Sequence, residues 1–365
     1  MMGTRCIRPP GDKSITHRAF LVSALVRAEG QVANPLTSAD TRTTAKVLRQ
    51  LGVSVSPLRQ AHPVWVAGTK WSAPTKILHC GNSGTTARLL LGALAGHRFK
   101  SRVDGDSSLR RRPMRRVTQP LVEMGAQVLE EHGDCLPLTI AGASLQPIDY
   151  QSPVASAQVK SAILFAGLVA QVRVSVAEPV KSRDHTERLF RFIGADVRVE
   201  GSKVYLTDPG DVLRTAGSLD IDIPGDPSSA AFLCGAAILA GPEEVKLEHV
   251  CVNETRAGYL DVLNRMGARV SVENKRTVCG EPVADLVVSA SNLRATEVKA
   301  QEIPSTIDEL PILAVLAARA DGETVFRAAG ELRVKESDRL TSLAENLRRL
   351  GVETEVSGDD LHVSG

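Results

Sequence analysis

The sequence predicts an α/β protein built from repeated subdomains and divided into two domains. Three observations carry that expectation. The chain has 365 residues, more than one typical domain holds. A phrase of apolar helix, glycine stop and alternating strand recurs five times along it. A second phrase recurs on the same spacing: a small polar loop, an Ala/Leu-rich helix, a glycine-containing turn and a strand.

The first phrase opens as Val47-Leu48-Arg49-Gln50-Leu51-Gly52-Val53 and returns as Leu121-Val122-Glu123-Met124-Gly125-Ala126. It continues as Leu189-Phe190-Arg191-Phe192-Ile193-Gly194-Ala195, Val262-Leu263-Asn264-Arg265-Met266-Gly267-Ala268 and Leu347-Arg348-Arg349-Leu350-Gly351-Val352. Its glycines lie roughly 70–85 residues apart. Glycine just past the last apolar turn is the usual end of a helix. The strands that follow, such as Ala268-Arg269-Val270-Ser271-Val272, alternate with period two. The second phrase begins near Asp12, Asn82, Ser156, Asp226 and Asp308. Each unit therefore holds two helices with strands between and after them, which suits an α/β subdomain better than a solenoid. Two like domains of three units need six. The chain stops at Leu361-His362-Val363-Ser364-Gly365, still strand-like, so a last unit is expected to be missing or reduced.

Composition narrows the function classes. The chain is 43% hydrophobic and 24% charged, as soluble globular proteins are. Aromatics are 3%, which argues against base-stacking surfaces for nucleic acid. A net charge of +2 gives no strong global field, so affinity for anions must come from local clusters. The six cysteines are scattered, with no CxxC pair and no Cys/His ligand spacing, so no metal site is expected. Their scatter suits reduced thiols in a cytosol. With no apolar leader in Met1–Pro10 and no long apolar run, a cytoplasmic protein without membrane contact is expected.

The chemistry gathers at the helix starts. Pro10-Gly11-Asp12-Lys13-Ser14-Ile15-Thr16-His17-Arg18 runs from a tight loop into an apolar helix. A helix N-terminus offers unpaired N–H groups and the positive end of a dipole. Lys13 and Ser14 add donors, and Arg18 lies on the face of Ser14 at i+4. This is either an oxyanion site or an ordinary capped helix. It is not a Walker A loop, which needs glycines this stretch lacks. Gly81-Asn82-Ser83-Gly84-Thr85-Thr86-Ala87-Arg88 repeats the design, with Arg88 at i+4 from Gly84. In the basic run Arg110-Arg111-Arg112-Pro113-Met114-Arg115-Arg116 most arginines read as solvated. Arg112, stiffened before Pro113, is the exception. Ser156-Ala157-Gln158-Val159-Lys160-Ser161 opens another helix with hydroxyl, amide and ammonium donors. Ser182-Arg183-Asp184-His185-Thr186-Glu187 starts the next, with His185 read as a packing or capping residue. Asp308, before Pro311, is an N-cap or a functional carboxylate. In Leu332-Arg333-Val334-Lys335-Glu336-Ser337-Asp338-Arg339, helical periodicity centres Glu336 on the apolar stripe of Leu340, Leu343, Leu347 and Leu350. A carboxylate on such a stripe is costly unless paired or used, and Lys335 and Arg339 flank it.

Together these stretches, with Ile223-Pro224-Gly225-Asp226-Pro227-Ser228-Ser229, resemble the EPSP synthase (3-phosphoshikimate 1-carboxyvinyltransferase) family, in family order across the chain. The resemblance implies the enolpyruvyl transferase-like fold: two domains of three βαβαββ units, an inside-out α/β barrel whose helix N-termini face a cleft. On this chain it implies a first domain over 16–222 and a second over 1–15 plus 223–365, incomplete at the C-terminal end. It implies transfer of the enolpyruvyl group of phosphoenolpyruvate to the 5-hydroxyl of shikimate 3-phosphate by addition and elimination, with no metal or organic cofactor. It further implies a monomer and a glyphosate target. Shikimate 3-phosphate would be held by Ser14, Arg18, Ser156, Ala157, Gln158, Arg183, Asp308 and Lys335. Phosphoenolpyruvate would be held by Lys13, Gly84, Arg112 and Arg339. Glu336 would move the proton at the methylene carbon, assisted by Asp308 and Lys13. A late Asp-His-Arg motif and a Lys of the family have no match here. The alternatives are UDP-N-acetylglucosamine enolpyruvyl transferase, of the same fold, and a non-catalytic phosphometabolite-binding remnant.

Overall fold

A computed structural model describes residues 5–365 except 216, 241–243 and 335–336. The five repeat glycines all sit in the left-handed region, Gly52 at φ 92°, Gly125 at 110°, Gly194 at 96°, Gly267 at 79° and Gly351 at 84°. Only glycine takes that conformation without strain, so each ends a helix and turns the chain into a strand. The architecture is mixed α/β, and contacts divide the chain into Gly11–Ile223 and a second unit of Met1–Pro10 with Pro224–Gly365.

Within Gly11–Ile223 the helices are α1 (Lys13–Leu25), α2 (Ala39–Gln50), α3 (Gly84–Ala95), α4 (Arg115–Glu123), α5 (Ala157–Ala170), α6 (His185–Phe192) and the short α7 (Val212–Thr215). Three four-stranded sheets accompany them. The second sheet runs Leu78–His79, Lys100–Asp104, Cys135–Ala141, Gln127–His132, and the third Ile148–Gln151, Val174–Ala177, Lys203–Asp208, Asp196–Glu200. In each the first two strands are parallel and the rest antiparallel, a βαβαββ unit. The first sheet has the same order, but its leading strand, Ile221–Asp222, comes from the far end of the segment and pairs in parallel with Glu29–Ala33.

The second unit holds α8 (Pro227–Ala240), α9 (Gly258–Arg265), α10 (Ile303–Thr306), α11 (Leu310–Ala317) and α12 (Arg339–Arg349). Its first sheet borrows Arg5–Ile7, parallel to Val245–Cys251, and continues with Glu281–Ser289 and Arg269–Val278. The other four-stranded sheet is Glu297–Val298, Glu323–Phe326, Asp360–Ser364, Thr354–Ser357. Among the described residues the βαβαββ pattern thus occurs five times.

The leading helices α1, α3 and α5 are apolar around most of their girth and buried, as such helices must be. The following helices α2, α4 and α6 are amphipathic and cover one face. At Gly92 in α3 an added Cβ would lie 2.2 Å from the Ala162 carbonyl oxygen, so α3 and α5 meet backbone to backbone.

Several sequence expectations need correction. The domain junctions, read at 15/16 and 222/223, fall at 10/11 and 223/224 in the contacts. Pro10 accepts a hydrogen bond from the Asp226 N–H at 2.8 Å, whereas the Asn34 amide donates to the Ile223 carbonyl at 2.9 Å. The helix expected near Asn82 starts at Gly84, capped by Ser83. The N-cap position of α11 is Glu309, not Asp308. Helix α12 starts at Arg339, capped by the Asp338 carboxylate. The placing of Glu336 on the apolar stripe concerns a residue that, with Lys335, lies outside the described residues. Leu340 and Leu347 are buried, but Leu350 is 80% exposed.

Candidate active site

The site residues of Gly11–Ile223 stand at three capped helix starts. Asp12 accepts the Ile15 N–H at 2.7 Å, Ser83 the Thr86 N–H at 3.1 Å and Ser156 the Val159 N–H at 3.4 Å. The caps fix where α1, α3 and α5 begin and leave other first-turn N–H groups without intrahelical partners.

Side chains tie these starts together. Arg18 is 3% exposed. It donates from Nε to Thr186 Oγ1 at 2.7 Å, from one terminal nitrogen to the Ser14 carbonyl at 2.9 Å and from the other to Ser161 Oγ at 2.9 Å. It thereby joins α1 to α5 and α6. Arg88 donates to Gln158 Oε1 at 2.6 Å, and Gln158 Nε2 donates to Thr85 Oγ1 at 3.0 Å, joining α3 to α5. A buried chain joins α1 to α3: His17 Nδ1 to Thr44 Oγ1, Thr44 to Thr86 Oγ1, and Thr86 to Ser83 Oγ, each at 2.7 Å. Three dipole ends are held side by side.

Positive charge converges on the middle one. A Cβ placed on Gly84 would lie 3.2 Å from an Arg88 guanidinium nitrogen and 3.3 Å from one of Arg112. Arg112 is anchored by donating to Asn82 Oδ1 at 2.9 Å. Burial, and then the charges of Arg112 and Arg116, push Arg88 down to about 10. Two guanidiniums flanking the N-terminus of α3 form a site for an anion carrying more than one charge. Lys13, half-exposed, lies 3.5 Å from Asp40 Oδ2. Ala157 opens α5, and Arg183 lies just ahead of α6.

The other unit brings together two further residues singled out in the sequence. Arg339, the first residue of α12, lies 3.6 Å from Asp308 Oδ1. Ser228 Oγ donates to Glu309, and Arg256 donates to Ser228 Oγ at 2.8 Å.

Sequence reasoning also misjudged some side chains. Lys160, read as a donor at the mouth of α5, is 1% exposed and turned inward onto Glu178 and Glu187. Arg110, read as solvated, pairs with Asp104 at 2.5 Å, although half of its surface remains exposed. Glu178 carries no mark in the sequence, because its partners Ser156 and Lys160 lie about twenty residues away and only the fold brings them together. His185 is buried, in line with a packing role.

Among the described residues no group of three or more His, Cys, Asp or Glu is placed to share a metal ion. None of the described helices is long and apolar enough to cross a membrane.

The family model for EPSP synthase (3-phosphoshikimate 1-carboxyvinyltransferase) matches residues 4–365. The chain is 45% identical over 359 residues to the 3-phosphoshikimate 1-carboxyvinyltransferase of Desulforamulus reducens, covering 98% of this chain and 83% of that protein. To the enzyme of that name from Synechococcus elongatus it is 46% identical over 364 residues, covering 98% and 81%. The solved EPSP synthase of Acinetobacter baumannii superposes with a TM-score of 0.89 at 39% identity, covering 100% of this chain and 83% of that one. The enolpyruvyl transferase NikO of Streptomyces tendae, at 18% identity and a TM-score of 0.75 over 100% and 83%, shares the fold.

Proposed function

The chain belongs to the EPSP synthase family, and from that premise we propose that it transfers the enolpyruvyl group of phosphoenolpyruvate to the 5-hydroxyl of shikimate 3-phosphate, releasing phosphate. The observation that carries this reading is the pair of guanidiniums, Arg88 and Arg112, flanking Gly84 at the start of α3. Both substrates are multiply charged anions. Charge-assisted hydrogen bonds of roughly 1.5–3 kcal/mol each suit them.

In this reading Lys13, Gly84, Arg112 and Arg339 hold phosphoenolpyruvate. Ser14, Arg18, Ser156, Ala157, Gln158, Arg183, Asp308 and Lys335 hold shikimate 3-phosphate. The linked starts of α1, α3 and α5 support the first-unit members of both sets. The Asp308–Arg339 pair supports the placing of those two residues near one reacting group. Glu336 protonates the methylene carbon while the 5-hydroxyl oxygen adds to the neighbouring carbon and passes its proton to Asp308, giving a tetrahedral adduct. Loss of phosphate and return of the carbon-bound proton to Glu336 restore the enol ether. Asp308 and Lys13 assist at the hydroxyl and the bridging oxygen. The reaction needs no redox step and no cofactor in this reading.

The finer architecture is proposed on the same premise: the family's two domains of βαβαββ units, in a monomeric cytoplasmic enzyme. A match running from residue 4 to 365 favours the shikimate acceptor over UDP-N-acetylglucosamine. Turnover of phosphoenolpyruvate with each acceptor tests the reading, with phosphate release only with shikimate 3-phosphate as the expected result. Release with UDP-N-acetylglucosamine alone overturns it.

A further inference from the structure

Away from the helix starts, Gly11–Ile223 encloses an ionic cluster sealed from water. Lys160 Nζ lies 2.8 Å from Glu178 Oε2 and 2.9 Å from Glu187 Oε1, with all three side chains 1% exposed. Burying ions is expensive unless each finds partners. Burial pushes the Glu187 carboxyl up, against the opposing pull of the Lys160 ammonium. Burial would lower Lys160, but the two carboxylates outweigh it and hold the ammonium above its usual value.

What hangs from this cluster distinguishes it from a packing device. Glu178 Oε1 accepts the Ser156 N–H at 2.8 Å, at the cap of α5. The same carboxylate accepts the Ser182 hydroxyl at 2.8 Å and the Ser182 N–H at 3.4 Å. Lys160 donates to the Ser182 carbonyl at 3.4 Å. Two segments distant in sequence are thus held by one carboxylate. Beside the cluster, Ser161 and Thr186 bond each other at 2.6 Å and both receive Arg18. Ser156 is followed by Ala157 and Gln158, and Ser182 by Arg183, all acceptor residues in the proposed function.

We propose that Glu178, braced by Lys160, is a positioning residue that sets the spacing of Ser156 and the Ser182–Arg183 segment and so governs affinity for the acceptor more than for phosphoenolpyruvate. This rests on shikimate 3-phosphate being the acceptor. The Gly84 site takes its anchors from Asn82, Pro113 and Gln158; of these only Gln158, two residues past Ser156, lies near a group that Glu178 holds, and its side chain bonds Arg88 and Thr85. A purely structural ion cluster would lower thermal stability and affect both substrates alike.

The test is calorimetric titration of the 365-residue chain with shikimate 3-phosphate, then with phosphoenolpyruvate at saturating shikimate 3-phosphate. Glu178→Gln and Ser182→Ala are compared with the unaltered chain. The second variant leaves the three buried ions in place, so it reports even if the first does not fold. The expected result is acceptor binding weakened roughly ten-fold in each folded variant, with phosphoenolpyruvate affinity within about two-fold. Acceptor binding unchanged in Ser182→Ala, or equal losses for both substrates, overturns the positioning role. Failure of the unaltered chain to bind shikimate 3-phosphate sinks the acceptor assignment itself, and this inference with it.

Discussion

Gly84 has two guanidinium nitrogens just beyond where a Cβ would stand, at 3.2 and 3.3 Å. A methyl group there presses on Arg88 and Arg112 and takes space beside the proposed phosphoenolpyruvate site. Inhibition by glyphosate, whose chain is longer than that of phosphoenolpyruvate, is expected to weaken in Gly84→Ala by more than substrate binding does. Paired inhibition and KM measurements check this, and equal losses argue against the placement. For Glu336 the chemistry leads: carbon protonation needs an acid at the methylene. Glu336→Gln is expected to abolish transfer while shikimate 3-phosphate binding stays within about three-fold, because the amide keeps the size but loses the proton. Near-normal turnover of this variant refutes the role.

Between elements the buried hydroxyl chain from His17 through Thr44 and Thr86 to Ser83 has a pH signature. Burial, and then the charges of Lys13 and Arg18, push His17 down to about 3, with Asp12 opposing. In the unfolded chain the same group titrates near about 6.5. Between these values the unfolded state binds a proton that the folded state refuses. Stability therefore falls as pH drops below about 6.5, by up to ~1.4 kcal/mol per pH unit from this residue. Thermal melts of the unaltered chain and His17→Asn between pH 7 and 5 are expected to converge as pH falls. Parallel curves would show that His17 does not carry the slope. The contact of α3 with α5 is a second element-level constraint. Gly92→Ala forces the Ala162 carbonyl away and is expected to cost about 1–3 kcal/mol in denaturant unfolding, as overpacking does.

At the scale of the whole molecule, the two units treat their apolar leading helices differently. In Gly11–Ile223, α1, α3 and α5 are covered by one another and by the following helices. Helix α8 is as apolar, yet Phe232 is 50% and Leu239 45% exposed, and Val315 of α11 is 39% exposed. Neighbouring exposed apolar side chains promote association. Monomeric when dilute in the proposed function, the chain is expected to associate weakly as concentration rises, and Phe232→Glu with Leu239→Lys to shift it toward monomer in light scattering. A monodisperse monomer at all concentrations, with or without the substitutions, removes this expectation.

The repeat was legible in the sequence because its signals are local. A glycine that must take positive φ after an apolar turn marks every unit by itself, at Gly52 as at Gly351. The polar helix starts were legible for the same reason, since a cap and its first turn lie within four residues. The start of α12 at Arg339, behind the Asp338 cap, follows the same rule, while the placing of Glu336 on its stripe lies outside the described residues. Tertiary structure alone decided which polar side chains face inward. Lys160 reads as one more cation in a donor-rich loop, and Glu178 carries no local mark. Their pairing depends on distant segments meeting in an interior where an unpaired charge is not tolerated. The pairing of Arg5–Ile7 with Val245–Cys251, and of Ile221–Asp222 with Glu29–Ala33, is likewise long-range. A strand of two or three residues has too little pattern of its own to say which sheet it completes.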